Sequence, residues 1–282
     1  MSAVTGPCWI PDMPEDVYHA DPCPEPSLSS TMAKRLLDGE AGPARLRQAI
    51  LSQPEPKPCL DLGAAAHEQV LCRGRRPEYL DVPDWRRKES RQWRDEVHAR
   101  GGIPLLAHQR AQVEAMVDAI LAHPVAGDLF TTGNGHPEVS MFTLDPETGR
   151  WQRGRLDFLA GRDLIVDYKT TGRSAELKAW EKQSWELRYH QQAAQYLSQA
   201  VALDLIEPDA GFVHVVQETN PPYMVAVYRL GDDQLEDGIA RTRTALDIWD
   251  RCLTLGDWPG IPAIIRTTHL PAWAHTTPED NS

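Results

Sequence analysis

The 282-residue sequence has no Cys-x-x-Cys pair, and its five cysteines (Cys8, Cys23, Cys59, Cys72, Cys252) are scattered and odd in number. That argues against a zinc or iron–sulfur site and against a disulfide frame, and points to reduced thiols in a cytoplasm. No apolar run is long enough to cross a bilayer, and Met1–Pro7 lacks the basic and apolar regions of a signal peptide. A cytoplasmic protein with no membrane partner is expected. No internal repeat and no low-complexity tract is present, so nothing indicates a repeat architecture. Positive charge is also short: 29 Lys+Arg stand against 41 Asp+Glu, a net charge of −12. This weighs mildly against sequence-independent DNA binding, although global charge does not forbid a local basic channel. Arg73, Arg75, Arg76, Arg86, Arg87, Lys88, Arg91, Arg94 and Arg100 do form a local excess. It reads more readily as a solvated helix face than as a DNA track.

What is present is ordinary for a soluble globular chain: 41% hydrophobic and 25% charged residues. Residues 1–26 are rich in proline and are expected to be irregular. Residues 27–274 read as one domain, helical over 27–136 and α/β over 137–274, with a flexible tail at 275–282. Ser29 or Ser30 caps a helix that stops at Asp38-Gly39. Pro54, Pro56 and Pro58 mark a loop, and a helix carrying His67 starts near Asp61. A charged helix over 84–100 and another over 105–123 follow. Strands are expected over 138–144, 150–159 and 164–170, then one long helix over 175–203, strands over 210–217 and 223–230, and a helix over 232–255.

The chemistry concentrates in that meander. Asp157 and Asp167 each sit in a short apolar run where a strand is buried. Lys169 follows Asp167 by two residues, so the two side chains share a face. A buried carboxylate is costly unless it is paired or binds a cation. The meander brings Glu138, Asp157 and Asp167 together. A carboxylate pair suits Mg2+ or Mn2+, which prefer hard oxygen ligands, and a lysine beside it can orient or deprotonate water or steady developing charge. Any single aspartate is equally explained by an ion pair with an arginine such as Arg155. The joint pattern of Asp157, Asp167 and Lys169 favours phosphodiester hydrolysis.

Asp157 followed by Asp167-Tyr168-Lys169 resembles the D…(D/E)xK signature of the PD-(D/E)xK nuclease superfamily. Gln192-Ala193-Ala194-Gln195-Tyr196 is similar to the QxxxY motif of its RecB-like branch, and Gly63-Ala64-Ala65-Ala66-His67 to the GxxxH helix of that branch. Tyr189-His190-Gln191-Gln192, the Asp-Tyr-Lys-Thr-Thr run, Pro26-Ser27-Leu28-Ser29-Ser30 and Leu270-Pro271-Ala272-Trp273 resemble RecE-type exonucleases (exodeoxyribonuclease VIII) of phages and prophages. The large RecE proteins carry a long N-terminal extension, whereas this sequence corresponds to the nuclease domain alone.

The resemblance implies a mixed central sheet flanked by helices, with a helical N-terminal half. It implies His67, Asp157, Asp167 and the Tyr168 carbonyl as metal ligands, Lys169 as a catalytic group, and Glu138 near a second metal or a water. Taken alone, His67 reads as a helix residue bonded to nearby backbone. Gln192 and Tyr196 either face the cleft, contacting DNA or bracing ligands, or pack into the core of an amphipathic helix. Ser29, Ser30 and Arg35 suit a terminal 5′-phosphate, and N-capping explains the serines equally well. The implied activity is 5′-to-3′ degradation of one strand of linear duplex DNA. The 3′ overhangs would pass to a RecT-type single-strand annealing protein, and the enzyme would be a ring-shaped homo-oligomer. Two alternatives stand beside it: a RecB-like or CRISPR-associated-type endonuclease, and a catalytically inactive DNA-end binding protein. The iron–sulfur cysteines of many CRISPR-associated relatives are missing.

Overall fold

Strand-forming sequence concentrates in the second half of the chain, and that half builds the sheet. The computed structural model describes residues 4–52, 61–71, 77–131 and 135–270. The first half contributes β1 (Cys8–Ile10), α1 (Glu15–His19), β2 (Leu28–Ser29), α2 (Ser30–Leu36), α3 (Gly42–Leu51) and α4 (Asp61–Val70). A small parallel pair, β3 (Pro77–Leu80) and β4 (Ile103–Leu106), brackets α5 (Lys88–Ala99), and α6 (Arg110–Ala122) and α7 (Ala126–Thr131) follow. The second half supplies β5 (Gly135–Leu144), β6 (Trp151–Ala160), β7 (Leu164–Thr171), α8 (Leu177–Glu186), α9 (Tyr189–Ala202), β8 (Gly211–Glu218), β9 (Val225–Arg229) and α10 (Asp232–Leu255).

The main sheet runs β1-β5-β6-β7-β8-β9, with β2 added to β6. Neighbours from β1 to β7 are antiparallel, β8 is parallel to β7, and β9 returns antiparallel. The parallel step exists because α8 and α9 carry the chain back across the sheet. This is the expected α/β class, a mixed sheet flanked by helices. One face packs Phe158, Val166, Tyr168 and Val215 against Ala66, Val70, Met116 and Ile120 of α4 and α6. The other packs Val139, Leu156, Ile165 and Phe212 against Ala193, Tyr196 and Ala200 of α9. Among the described residues no helix is long and apolar enough to cross a membrane.

The feature that positions the site is a fork in this sheet. β6 and β7 pair only from Phe158↔Val166 to Ala160↔Leu164 and then separate. Beyond the fork, β2 takes the vacated edge of β6, pairing Leu28↔Gln152 and Ser29↔Arg153. Strand alternation also breaks there: Leu156 faces α9 while Phe158 faces α4. Glu138, on β5 between the residues paired with Phe158 and Leu156, adopts a left-handed φ of 56°. A non-glycine residue in that region is strained and must be held by its surroundings.

Several expectations need correction. Residues 1–26 are not wholly irregular: β1 pairs with β5, Trp9 opposite Met141, and α1 follows. Leu105 lies in β4, and the helix expected from 105 begins at Arg110. The single helix expected over 175–203 is two, because Arg188 takes a φ of 52° between α8 and α9. Its guanidinium is held there by the Lys34 carbonyl at 2.5 Å and by Asp38 at 2.7 Å. Trp185, near the end of α8, is 55% exposed and stacks on His190. The proline loop at 54–58 and the tail at 275–282 lie outside the described residues.

Candidate active site

Asp157 occupies the fork. Where β6 and β7 stop pairing, its Oδ2 accepts the Tyr168 N–H at 2.8 Å, so a carboxylate stands in for the missing backbone partner. Asp167 and Lys169 lie on the same side of β7, as their spacing predicts, with Nζ 2.7 Å from Oδ2. The Asp167 side chain is 2% exposed. Its Oδ1 accepts from Gln192 Nε2 at 3.3 Å. Its Oδ2 meets the Lys169 ammonium and no other donor within hydrogen-bond distance among the described residues.

His67 comes from the opposite face. Nε2 lies 3.2 Å from Asp157 Oδ2 and Nδ1 3.7 Å from Glu138 Oε1. The imidazole stacks on the Tyr168 ring, 5.9 Å between centroids. Glu138 pairs in turn with Arg155 Nε. This resolves the arginine alternative: Arg155 neutralises Glu138, while Asp167 pairs with Lys169.

The electrostatics separate the two aspartates. Burial pushes Asp167 up to about 6, against the pull of Lys169. Asp157 is partly buried, its side chain 17% exposed, and the charges of His67 and Lys169 outweigh desolvation and hold it at about 2. For His67, burial alone would lower the pKa, and Asp157 and Glu138 reverse that, raising it to about 9. Lys169 is raised by Asp167 and Asp157 despite its burial. Glu138 is raised, chiefly by desolvation. Environments that drive neighbouring titratable groups apart are a mark of chemical sites.

The remaining sequence candidates fall around this centre. A groove of about 990 Å³ opens onto His67, Asp157 and Lys169, and Ser29, Ser30 and Arg35 line it. Ser29 caps α2, accepting the Met32 N–H at 3.3 Å, so the capping account of that residue holds. Ser30 Oγ lies 3.5 Å from the Tyr196 hydroxyl. Tyr196 is 6% exposed and belongs to the core under β6. It fits there because Gly154 has no side chain: a Cβ would meet Gln199 Oε1 at 2.4 Å and the Tyr196 ring at 3.0 Å. Gln192 and Tyr196 thus do different things, one bracing a carboxylate and the other filling the core beneath the groove. Reading the sequence did not find Lys34, whose Nζ donates to Gln192 Oε1 at 3.2 Å. It lies on α2, and no local pattern ties that helix to α9.

The donor set fits a divalent cation. Two carboxylates and an imidazole converge from three elements, and Asp167 Oδ2 is met by the Lys169 ammonium. The structure closes these charges on His67 and Lys169 instead, and among the described residues no group of three or more His, Cys, Asp or Glu side chains is arranged as a coordination set.

Gly63 explains how α4 delivers His67. It lies one turn earlier on the same face, and a Cβ there would meet Thr170 Oγ1 at 2.5 Å. Gly63→Ala is therefore expected to lift α4 from β7 and lower cleavage about tenfold, since small misplacements of reacting groups are costly. Thr170→Ala in the same chain should restore most of that loss. A double variant as impaired as Gly63→Ala would show that the Thr170 contact does not set the helix.

Comparison with known proteins follows this geometry. A family model described as a PDDEXK-like domain of unknown function (DUF3799) matches residues 29–264. A crystal structure from Eubacterium rectale, described as a "putative exonuclease", aligns with a TM-score of 0.62 at 14% identity, covering 92% of this chain and 96% of that one. Likeness at that identity establishes a shared fold. The crystal structure of SSO0001 aligns at 16% identity over 70% of this chain and 91% of that one, but its TM-score of 0.29 carries no argument. No curated protein sequence matches.

Proposed function

The chain belongs to the PDDEXK-like DUF3799 family, and from that premise we propose that it is a divalent-metal-dependent nuclease. The observation that carries this reading is the convergence of Asp157, Asp167, Lys169 and His67 at the fork between β6 and β7. The preferred substrate is linear double-stranded DNA, degraded from an end, 5′ to 3′, to leave 3′ overhangs. The fold shared with the Eubacterium rectale protein, described as an exonuclease, supports attack from an end over internal cutting. The same reading places the enzyme upstream of a RecT-type annealing protein and makes it a ring-shaped homo-oligomer of a bacterial cytoplasm, encoded by a phage or prophage.

Asp157, Asp167, His67 and the Tyr168 carbonyl would hold Mg2+ or Mn2+, with Glu138 beside them. A bound divalent ion supplies an acidified water and neutralises charge developing on the phosphate. The protein's own groups do the rest. Lys169 is raised by its two aspartates despite its burial, and it would serve as a positive charge near the scissile phosphate. Gln192 holds Asp167 by one oxygen, and Lys169 meets the other. Arg155 keeps Glu138 from crowding the site with uncompensated charge.

The test is nucleotide release from linear duplex DNA with differently labelled ends, with Mg2+, Mn2+ or chelator. Metal-dependent release from the 5′-ended strand, absent with EDTA, is the expected result. Cutting of closed circular DNA would move the assignment to an endonuclease. Binding to ends with no cleavage under either metal would move it to an inactive end-binding protein.

A further inference from the structure

Lys34 stands at the candidate site, and the reading above leaves it without a task; burial and the neighbouring Lys169 push its amine down to about 7. Arg188 holds its backbone carbonyl at 2.5 Å, which anchors the base of the side chain. Its Nζ lies 5.1 Å from the centre of the Tyr189 ring, and Lys169 Nζ lies 5.1 Å from the same ring. Two ammonium groups thus share one aromatic ring beside Asp167.

The contact that matters runs through Gln192. Lys34 Nζ donates to Gln192 Oε1 at 3.2 Å, and Gln192 Nε2 donates to Asp167 Oδ1 at 3.3 Å. When Lys34 carries its proton it can only donate, and a carboxylate can only accept. The amide between them has one satisfied orientation. Flipped, it would set NH2 against the ammonium and its carbonyl against the carboxylate. Without Lys34, only the Asp167 contact selects the orientation.

We propose that Lys34 is a positioning residue: it locks the Gln192 amide so that its NH2 holds Asp167 Oδ1, which fixes the carboxylate that would hold the cation, with Oδ2 turned to Lys169. This rests on the nuclease reading of the same site. Lys34 is also a positive charge, and charge acting through space would be felt whatever residue stands at 192. An orienting role exists only while a glutamine is there to be oriented. That difference separates the two.

The experiment is a double-mutant cycle of Lys34→Met and Gln192→Leu, read as Mn2+ binding by calorimetry and as cleavage of linear duplex DNA. In the wild-type background Lys34→Met should lower kcat about tenfold, within the range for directly coupled neighbours, with KM for DNA unchanged within about twofold. It should also change the Mn2+ dissociation constant. In the Gln192→Leu background both effects should shrink below about twofold. Lys34→Gln, which keeps a donor without the charge, should recover most of the lost kcat. Lys34→Met effects of equal size in both backgrounds, with the wild type active, would overturn this inference alone. So would a change confined to KM, which would make Lys34 a substrate contact. A wild type that neither binds Mn2+ nor cleaves DNA would remove the nuclease reading and this inference with it.

Discussion

Removing both members of the Asp167–Lys169 pair is expected to abolish cleavage and leave the protein no less stable, whereas removing either one alone should cost both. The pair is deeply set, with side-chain exposures of 2% and 17%. Asp167→Asn leaves the buried Lys169 ammonium with Asp157 alone to offset it, and Lys169→Met removes the charge that holds down a carboxyl which burial already pushes up to about 6. Breaking a buried pair from one side typically costs about 3 kcal/mol, while replacing both partners with neutral groups of similar volume is often neutral or favourable. Asp167→Asn/Lys169→Met should therefore unfold at the wild-type temperature or above, and each single variant several degrees below it. All three should lose at least about a thousandfold in cleavage rate, since each removes a charge that the reaction uses. Thermal unfolding of the three variants beside a cleavage assay decides this. A well-folded Asp167→Asn that still cuts would end the assignment of that residue, and a double variant less stable than both singles would show that the pair holds the fold.

Metal affinity should climb about tenfold for each pH unit between 6.5 and 8.5, and the climb should vanish in His67→Gln. In the metal-free protein His67 keeps its proton up to about 9, because Asp157 and Glu138 outweigh the penalty of burial. A histidine ligand must be neutral, so the cation competes with that proton. Over the two units the total is about a hundredfold. The sign for stability is opposite. A histidine whose folded pKa exceeds its unfolded 6.5 stabilises the metal-free protein fully below that value, and the contribution is lost as pH rises through about 9. The apo protein should thus weaken over the interval in which the site gains affinity. Calorimetric Mn2+ titrations at several pH values, with and without His67→Gln, test this. A pH-independent affinity in the wild type would place His67 outside the coordination set.

What could be read from the sequence follows from how local each feature is. Asp157, Asp167 and Lys169 were legible because strand alternation and short turns are local rules, and the meander obeys them closely enough. His67 stood out through the Gly63 spacing, for which Thr170 now gives a steric reason. Periodicity failed where distant groups decide the backbone. Arg188 breaks the expected long helix because Asp38 and the Lys34 carbonyl hold its guanidinium. β1 was hidden by prolines on either side of a three-residue strand. Lys34 was invisible for the same reason: its partner lies 158 residues away.

That separation bears on the order in which the chain acquires its working parts. Asp157 and the amide it holds are 11 residues apart, joined through one tight turn. Lys34 and Gln192 meet only after 158 residues have been closed into a loop. Contacts that close short loops form early and long ones late. Asp157, Asp167, Lys169, Glu138 and Arg155 should therefore assemble together with the β5–β6–β7 hairpins, and the Lys34–Gln192 contact only when α2 docks on α9. During that interval Asp167 is held by Lys169 without its amide brace, so the strand meander carries its own charge compensation before the helices fix its geometry.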